Sequence, residues 1–349
     1  MNKFMTAGAA LLATTTIVSA GGIDRSGQPI TAIFEDGNYV ELSFGSISPS
    51  VSGVAPPVPV GSGDMAPTYS TVGMALKVDI NDQASVAIIL DQPFGANVDY
   101  DSPGYPLHGS TAEVNSTGIT VVGRYKINDS FSVHGGIRHV TAEGSVNLAA
   151  AEQPYASDYS ADSGVGYVIG AAYERPDIAM RIALTYSSAI DFELAGSVGD
   201  LITTMPQSVN LDFQTGIAAD TLLFGSIRWA DWTETVLLDT FLGGPLVTYD
   251  EDVYTYSIGV GRRFSDALSG AVTVGYEAAQ GGVSSNLSPT DGNVSLSLGG
   301  TYTMSNGLEL TGGVRYVWLG DAETAVGPLT GEFTDNTATA VGLKIAYNF

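Results

Sequence analysis

Few side chains in this sequence could act as nucleophiles, bases or metal ligands. The 349 residues include three histidines and no cysteine. Ser132 and His134 stand two residues apart, which places both on one face of a strand, where a serine and a histidine could perform acyl transfer. The strand pattern described below turns that face toward the inside of a barrel, whereas an enzyme acting on membrane lipid needs its site on the lipid side. His108 and His139 lack a partner at a metal-ligand spacing. The sequence therefore predicts neither an enzyme nor a cofactor or metal site.

The composition restricts the class of protein. Charged residues make up 14% of the chain, whereas about 25% is usual for soluble domains. With 13 Lys and Arg against 37 Asp and Glu, the chain is too acidic to bind nucleic acid. Residues 1–20 are typical of a secretory signal, with Lys3 before an apolar stretch and Val18-Ser19-Ala20 as the cleavage site.

Side chains of alternating polarity recur along most of the chain. In the last strand, the apolar residues at 341, 343, 345, 347 and 349 alternate with a set that includes Lys344. Fourteen such segments can be counted, the clearest at residues 178–194. An even number of half-apolar strands favours an all-β fold, a 14-stranded antiparallel transmembrane β-barrel with lipid outside and water inside. We predict a signal peptide at residues 1–20, a short plug segment at 21–37 and the barrel at 38–349.

The connections between the predicted strands alternate in length. Short turns join strands 2–3, 4–5, 6–7, 8–9, 10–11 and 12–13, and long loops join the other pairs, as in bacterial outer-membrane barrels. The seven long loops, which include residues 93–116, 145–163 and 196–205, contain no Lys or Arg. Their acidic residues could be bridged by divalent cations to lipopolysaccharide phosphates, or could simply be a solvated acidic surface.

Most cations fall on the side of the strands that the alternation assigns to the lumen. A cation on the lipid face would cost about 2–4 kcal/mol at the membrane midplane. Two interpretations remain open: the cations attract a substrate carboxylate, or they form ion pairs across the lumen with Glu41, Asp79, Asp191, Glu193 and Glu309. The predicted lumenal charges are Lys77, Arg124, Arg138, Arg181, Arg228, Arg315 and Lys344.

Several short segments resemble one protein family. They are Asp91-Gln92-Pro93-Phe94-Gly95 followed by Val98-Asp99-Tyr100, Tyr173-Glu174-Arg175-Pro176-Asp177, Ala230-Asp231-Trp232, Gly275-Tyr276-Glu277 and the final Lys344-Ile345-Ala346-Tyr347-Asn348-Phe349. In their order and spacing they resemble the FadL family of outer-membrane transporters for long-chain fatty acids and other hydrophobic compounds. The resemblance implies a fourteen-stranded barrel, an N-terminal plug inside it, and a kink in the third strand that opens a lateral path into the bilayer. The N-terminal segment is shorter than is usual in that family and lacks its Asn-Pro-Ala motif.

The resemblance and the local sequence together suggest a substrate path. Pro93 cannot donate to a strand ladder and Gly95 has no side chain to pack, so the third strand is expected to break near residues 92–95; an ordinary strand end entering a loop is the alternative. Apolar loop residues could capture substrate, or could pack as loop cores. The expected path residues are Phe34, Gln92, Pro93, Phe94, Gly95, Tyr100 and Leu107.

The sequence thus predicts a monomeric, multi-pass protein of the bacterial outer membrane. Its partners would be outer-membrane lipids, lipopolysaccharide and a hydrophobic small molecule such as a long-chain fatty acid. Uptake would be passive: capture by outer loops, a lumen gated by the plug, and lateral exit at the break in strand 3. A diffusive porin for polar or ionic solutes is the alternative function, and a surface structural or adhesion protein is a third.

Overall fold

A computed structural model of the protein describes residues 23–149 and 154–349. The predicted signal segment at residues 1–20 lies outside the described residues, as do the first two residues of the predicted plug segment. The strands are β1 (Tyr39–Ser50), β2 (Gly53–Val54), β3 (Tyr69–Asp79), β4 (Ala84–Asp91), β5 (Gly95–Asp99), β6 (Thr111–Lys126), β7 (Phe131–Leu148), β8 (Tyr155–Arg175), β9 (Met180–Ser187), β10 (Ile190–Leu194), β11 (Leu201–Met205), β12 (Ser208–Ala218), β13 (Thr221–Ala230), β14 (Val236–Asp239), β15 (Gly244–Thr248), β16 (Val253–Arg263), β17 (Leu268–Glu277), β18 (Val283–Ser284), β19 (Asn293–Thr303), β20 (Leu308–Leu319), β21 (Ala322–Val326), β22 (Leu329–Phe333) and β23 (Thr337–Asn348). Within these residues, three short 3₁₀ helices cover Thr31–Phe34, Pro176–Ile178 and Trp232–Glu234. No helix in the described ranges has the length and apolarity needed to cross a membrane.

Fourteen of the strands form a closed antiparallel barrel, as predicted. Their order around the ring is β1, β3, β4, β6, β7, β8, β9, β12, β13, β16, β17, β19, β20 and β23. The ring closes between the first and last strands, where Tyr39 pairs with Asn348 and Ser50 with Thr337. Closure gives each strand two neighbours along most of its length, so most backbone donors and acceptors of the wall are satisfied without water.

The alternation separates an apolar outer surface from a polar interior. Val121 and Leu343 on the outer surface are 45% and 50% exposed, because they are placed to contact lipid. On the inner face Lys77 and Lys344 are each 3% exposed. At one end of the barrel the strands are joined by turns at residues 80–83, 127–130, 176–179, 219–220, 264–267 and 304–307.

Two boundary predictions were wrong. The strand predicted at residues 178–194 ends at Ser187, and Ile190–Leu194 forms the separate strand β10. Gly164 and Gly166 of β8 leave room for the Ile190 side chain. The alternation continues through β10 because one of its faces is also buried, but protein rather than lipid covers that face. Asp191 and Glu193 consequently lie exposed outside the lumen.

The loop predicted at residues 145–163 is also largely strand. β7 continues to Leu148 and β8 begins at Tyr155, so these two strands extend beyond the others as a long hairpin. Ser, Asp and Ala occupy much of both faces there, which hid the alternation. The other long connections contain two four-stranded sheets, one of β10, β11, β14 and β15 and the other of β18, β21, β22 and β2.

The outer face of the barrel wall contacts lipid and the inner face contacts water, and this difference gives a stability prediction. Val121 lies on the outer face between Ile88 of β4 and Ile137 of β7, so Val121→Arg places a cation in lipid. We expect a loss of about 2–4 kcal/mol in the free energy of unfolding. Ile127→Arg, six residues farther along at the turn, is the matched control and should cost about 0–1 kcal/mol. Urea unfolding in lipid vesicles measures both, and equal losses would contradict the assignment of the outer face.

Candidate functional site: an apolar cavity beside a break in the barrel wall

A large cavity lies at the long-loop end of the barrel. Its volume is about 560 Å³, within the range of small-molecule sites. Tyr100 and Leu107, both predicted from the sequence, line it together with Ile23. No Lys, Arg or His lines it among the described residues, and its lining is mainly aliphatic. Further lining residues are Val98, Val114, Val146, Tyr159, Leu194, Leu201, Met205, Leu237, Leu246, Val247 and Leu287.

The sheet of β10, β11, β14 and β15 positions one wall of this cavity. Period two puts Leu194, Leu201 and Leu237 on the inward face. Buried Asp239 holds the sheet to β8, because its Oδ2 accepts hydrogen bonds from the hydroxyls of Tyr155 at 2.5 Å and Tyr159 at 2.7 Å. Burial opposes ionisation of this carboxyl, but the bonds from Tyr155 and from backbone N–H groups outweigh it and lower its pKa.

Aromatic side chains pack beside the cavity. The rings of Phe94 and Trp232 meet edge to face with centroids 6.1 Å apart, and Trp232 contacts Tyr249 at 4.9 Å. Phe94 and Trp232 are each 1% exposed and belong to the same apolar cluster as Ile23. Phe94, expected on the substrate path, is therefore a buried neighbour of the cavity and does not line it.

The barrel wall is interrupted after Asp91. β6 pairs with β4 and again with β5, but the three residues between them, Gln92, Pro93 and Phe94, leave the ladder. β3 follows β4 only as far as the Met74–Leu90 pair, so residues 69–73 have no strand partner on that side among the described residues. The Gln92 side chain partly replaces the missing strand, since its Oε1 accepts a hydrogen bond from the backbone N–H of Val72 at 3.1 Å.

The N-terminal segment supplies the remaining backbone partners at this break. The N–H of Gly95 donates to the carbonyl of Ile23 and the N–H of Arg25 donates to the carbonyl of Pro93, both at 2.8 Å. Between them, Asp24 and Phe94 form an antiparallel bridge. Ile23 thus contacts both the cavity and the break in the wall. Its side chain lines the cavity, and its carbonyl accepts the hydrogen bond from Gly95.

The same segment continues across the lumen and binds side chains of several strands. Asp24 forms a buried ion pair with Arg228 of β13 at 2.7 Å. Ser26 donates to Asp91 at 2.6 Å, and the side chain of Gln28 accepts a hydrogen bond from Arg138 of β7. These contacts with opposite parts of the ring place residues 23–28 inside the barrel.

A family model described as outer membrane protein transport protein (OMPP1/FadL/TodX) matches residues 7–349 of the sequence. The chain belongs to this family. It is accordingly a transport protein of the bacterial outer membrane, as the sequence predicted. No curated protein matches the chain.

Solved structures with the same fold include other members of the FadL/TodX family. A FadL homologue of Pseudomonas aeruginosa superimposes with a TM-score of 0.79 at 15% sequence identity over 99% of each chain. The toluene transporter TodX of P. putida gives a TM-score of 0.71 at 14% identity over 92% of each chain. The toluene transporter TbuX of Ralstonia pickettii gives 0.62 at 12% identity over 90% of each chain.

In this FadL/TodX-family barrel most of the predicted lumenal charges have protein partners. Lys77 pairs with Asp79, Lys344 with Glu41 at 3.4 Å, and Arg124 with Glu174. Pairing with Asp79 and Glu41 was predicted, whereas pairing with Asp191 and Glu193 was wrong, because both lie in the exposed β10 face. Arg138, Arg181 and Arg315 donate to Thr120, Gln214 and Ser297 respectively.

Phe34 lies apart from the other predicted path residues. Its ring is 5.5 Å from that of His134, and the guanidinium carbons of Arg124 and Arg181 lie 4.8 and 4.7 Å from its centroid. The cations therefore hold the N-terminal segment by its aromatic face. Ser132, the other half of the pair considered for catalysis, accepts a hydrogen bond from Arg124 Nε at 3.0 Å.

Sequence reasoning missed Asp24, Arg25, Gln28 and Asp239. The first three lie in a segment without periodicity, and their partners are distant along the chain. The available signal was Arg25, the single cation of residues 21–37, which stands next to Asp24 in the sequence.

Glu35, in the N-terminal segment, makes the stability of the folded protein depend on pH. It lies inside the barrel, where burial raises its pKa to about 7 against the attraction of Lys344 and Arg181. Glu41 and Glu309 add to the rise. Because the pKa is higher in the folded state, the contribution of Glu35 to stability is full below its unfolded pKa of about 4.5 and is lost as the pH rises through about 7.

We therefore expect the free energy of unfolding of the wild type, relative to that of Glu35→Gln, to fall as the pH is raised from 4.5 to 7.5. Urea unfolding at a series of pH values measures this difference. Glu251→Gln, at an exposed loop position, is the matched control for loss of a carboxyl. A difference that grows with pH would contradict the assigned environment of Glu35.

Proposed function

We propose that the protein carries hydrophobic small molecules, long-chain fatty acids among them, passively across the outer membrane. The outer loops would capture the molecule in the apolar cavity. The molecule would then leave sideways through the wall at residues 92–95, with the N-terminal segment as plug and gate. The observation that best supports this proposal is the position of Ile23. Its side chain lines the cavity, and its carbonyl accepts a hydrogen bond from the N–H of Gly95.

Capture follows from the lining of the cavity. Transfer of apolar surface from water contributes about 25 cal/mol per Å², and the cavity presents mainly aliphatic side chains. Such a site favours hydrophobic over polar solutes without an energy source. Two structurally similar proteins are toluene transporters and another is a monoaromatic hydrocarbon channel, which supports hydrocarbons as well as fatty acids as probes.

Lateral release follows from the weak attachment of the wall at the break. Pro93 has no N–H, and residues 69–73 of β3 face the gap without a strand partner among those described. Two backbone hydrogen bonds from the N-terminal segment span this place, each with a net value of about 1 kcal/mol. A ligand that displaces Ile23 from the cavity would loosen both bonds, so occupancy and opening are coupled.

The alternative is a diffusive porin for polar or ionic solutes. The charged inner face, with Lys77, Arg124 and Arg181, favours it. Against it stand the ion pairs of Lys77 and Arg124, the hydrogen bond of Arg181 to Gln214, and the N-terminal segment bound across the lumen.

A reversible cross-link tests the gate. Asp24 and Phe94 form a non-hydrogen-bonded pair, whose Cα atoms are typically about 4.5 Å apart, within disulfide range. Because the native chain has no cysteine, the Asp24→Cys/Phe94→Cys protein can form only this bond. Uptake of radiolabelled oleate and toluene should fall to background when it is oxidised and return when it is reduced.

The same protein in its two redox states controls for the substitutions themselves. Thr301→Cys/Thr311→Cys is the matched second control, since these hydroxyls face each other at 2.7 Å on two ordinary wall strands. Its oxidation should leave uptake unchanged. Equal uptake by the oxidised and reduced forms of the 24–94 pair would refute gating at this break.

Conductance separates the two candidate functions. Because the N-terminal segment and the paired charges cross the lumen, the protein in planar bilayers should give little steady current. A large, steady, ion-selective current would instead support the porin.

A further inference from the structure

Two polar side chains that line the large cavity each have a buried atom without a hydrogen-bond partner among the described residues. They are Thr203 of β11 and Asn286, two residues after β18. We propose that they are specificity-determining residues, which select hydrophobic molecules that carry a hydroxyl group, such as alkylphenols and aliphatic alcohols, over hydrocarbons and acids of similar size. This inference rests on the proposed function, because it names a substrate class for the same cavity.

The alternation of β11 turns Thr203 toward the cavity. Leu201, Thr203 and Met205 form the buried face of this strand, and all three line the cavity. Thr203 is 7% exposed, and its Oγ1 bonds to none of the residues that the structure describes. On the opposite face, the hydroxyl of Thr204 donates to Asp191 at 2.7 Å. A buried hydroxyl without a partner is unfavourable, so a ligand that bonds to Thr203 gains affinity.

Two hydrogen bonds fix the position of Asn286. Its side-chain Nδ2 donates to the backbone carbonyl of Ala325, and its own backbone carbonyl accepts from the hydroxyl of Tyr100, both at 2.7 Å. Because Nδ2 is committed to Ala325, the other atom of the amide is the acceptor Oδ1. This oxygen is buried and receives no hydrogen bond from residues 23–149 or 154–349. A ligand that donates a hydrogen bond would therefore satisfy it.

A hydroxyl group suits either atom. It can donate to Asn286 Oδ1, and it can donate to or accept from the hydroxyl of Thr203. A hydrocarbon leaves both atoms unsatisfied. A carboxylate only accepts, so it cannot bond to Asn286 Oδ1, and it is repelled by Glu113 and Glu143, which also line the cavity. A few polar groups in a mainly apolar site are what usually determines specificity, and here they favour a neutral donor.

A hydrophobic ammonium is the competing class of ligand, because two carboxylates line the cavity. Both Glu113 and Glu143 are exposed, however, and Glu113 already accepts a hydrogen bond from the side chain of Asn115 at 2.6 Å. An ammonium among the aliphatic side chains would lose its hydration without a buried charge to pair with. The buried atoms that lack partners, on Thr203 and Asn286, are neutral. The cavity therefore favours a hydroxyl over an ammonium.

The test compares p-cresol with p-xylene, in which a methyl group replaces the hydroxyl. Calorimetry measures their binding to the full chain in lipid nanodiscs, with empty nanodiscs as the blank. Thr203→Val keeps the shape of the side chain and removes its hydroxyl, so p-cresol should bind about three- to tenfold more weakly, the net effect of one hydrogen bond. The binding of p-xylene should not weaken. Asn286→Ala should lower the ratio of p-cresol affinity to p-xylene affinity by a similar factor.

The matched control is Thr204→Val, which makes the same chemical change on the opposite face of the same strand. It should alter the binding of neither probe. Equal weakening of both probes by Thr203→Val would overturn the proposal, since Thr203 would then only shape the cavity, and unchanged binding of p-cresol would overturn it as well. The urea midpoint of Thr203→Val should not fall; a lower midpoint would show that the hydroxyl bonds within the protein and is not available to a ligand.

Two charged probes of the same size, p-toluate and p-methylbenzylamine, separate the alternatives. Both should bind the wild type more weakly than p-cresol. If p-methylbenzylamine binds more tightly than p-cresol and Glu143→Gln reverses that order, the carboxylates select a cation and the assignment of a hydroxyl fails. If the wild type binds none of the four probes, the proposed function itself fails. Binding of p-cresol and p-xylene with no effect of Thr203→Val or Asn286→Ala would refute only the selection of a hydroxyl.

Discussion

A membrane-spanning sheet must satisfy every backbone donor and acceptor within the protein, because lipid offers none. This constraint explains why the barrel closes and why other groups supply hydrogen bonds at the interruption after Asp91. The Gln92 side chain accepts a hydrogen bond from β3, and backbone groups of the N-terminal segment form hydrogen bonds with residues 93 and 95. The wall is thus completed at that place by pieces that do not belong to the ring.

The interior follows a second rule. A ring of fourteen strands is too wide for its own side chains to fill, so the N-terminal segment occupies part of it. Lumenal cations hold that segment through an ion pair with Asp24, a hydrogen bond to Gln28 and the face of Phe34. The polar lumen therefore serves as an attachment surface, and the apolar cavity lies at the long-loop end of the barrel. Charge and hydrophobicity are divided between two levels of the same barrel.

The sequence was most informative along the barrel strands, where residues alternate between an apolar face toward lipid and a polar face toward the lumen. Alternation along segments such as 337–349 revealed the fourteen strands, and the absence of Lys and Arg from the long loops distinguished the two ends. It was misleading in β10, because alternation reports one buried face without saying whether lipid or protein covers it. It indicated Tyr100, Leu107 and the break near residues 92–95, but it was silent on the contacts of the N-terminal segment. Those contacts join residues far apart in sequence, 204 positions for Asp24 and Arg228 and 110 for Gln28 and Arg138. No local spacing encodes such pairs.

The seam between β1 and β23 has a consequence for biogenesis. The two strands that close the ring are the first and last of the barrel, so the cylinder cannot be completed until the carboxy-terminal strand is available. The segment that ends up within it lies immediately before β1 and bonds to β4, β7 and β13. Pairing of β23 with β1 therefore encloses this segment within the ring of strands to which it is bound.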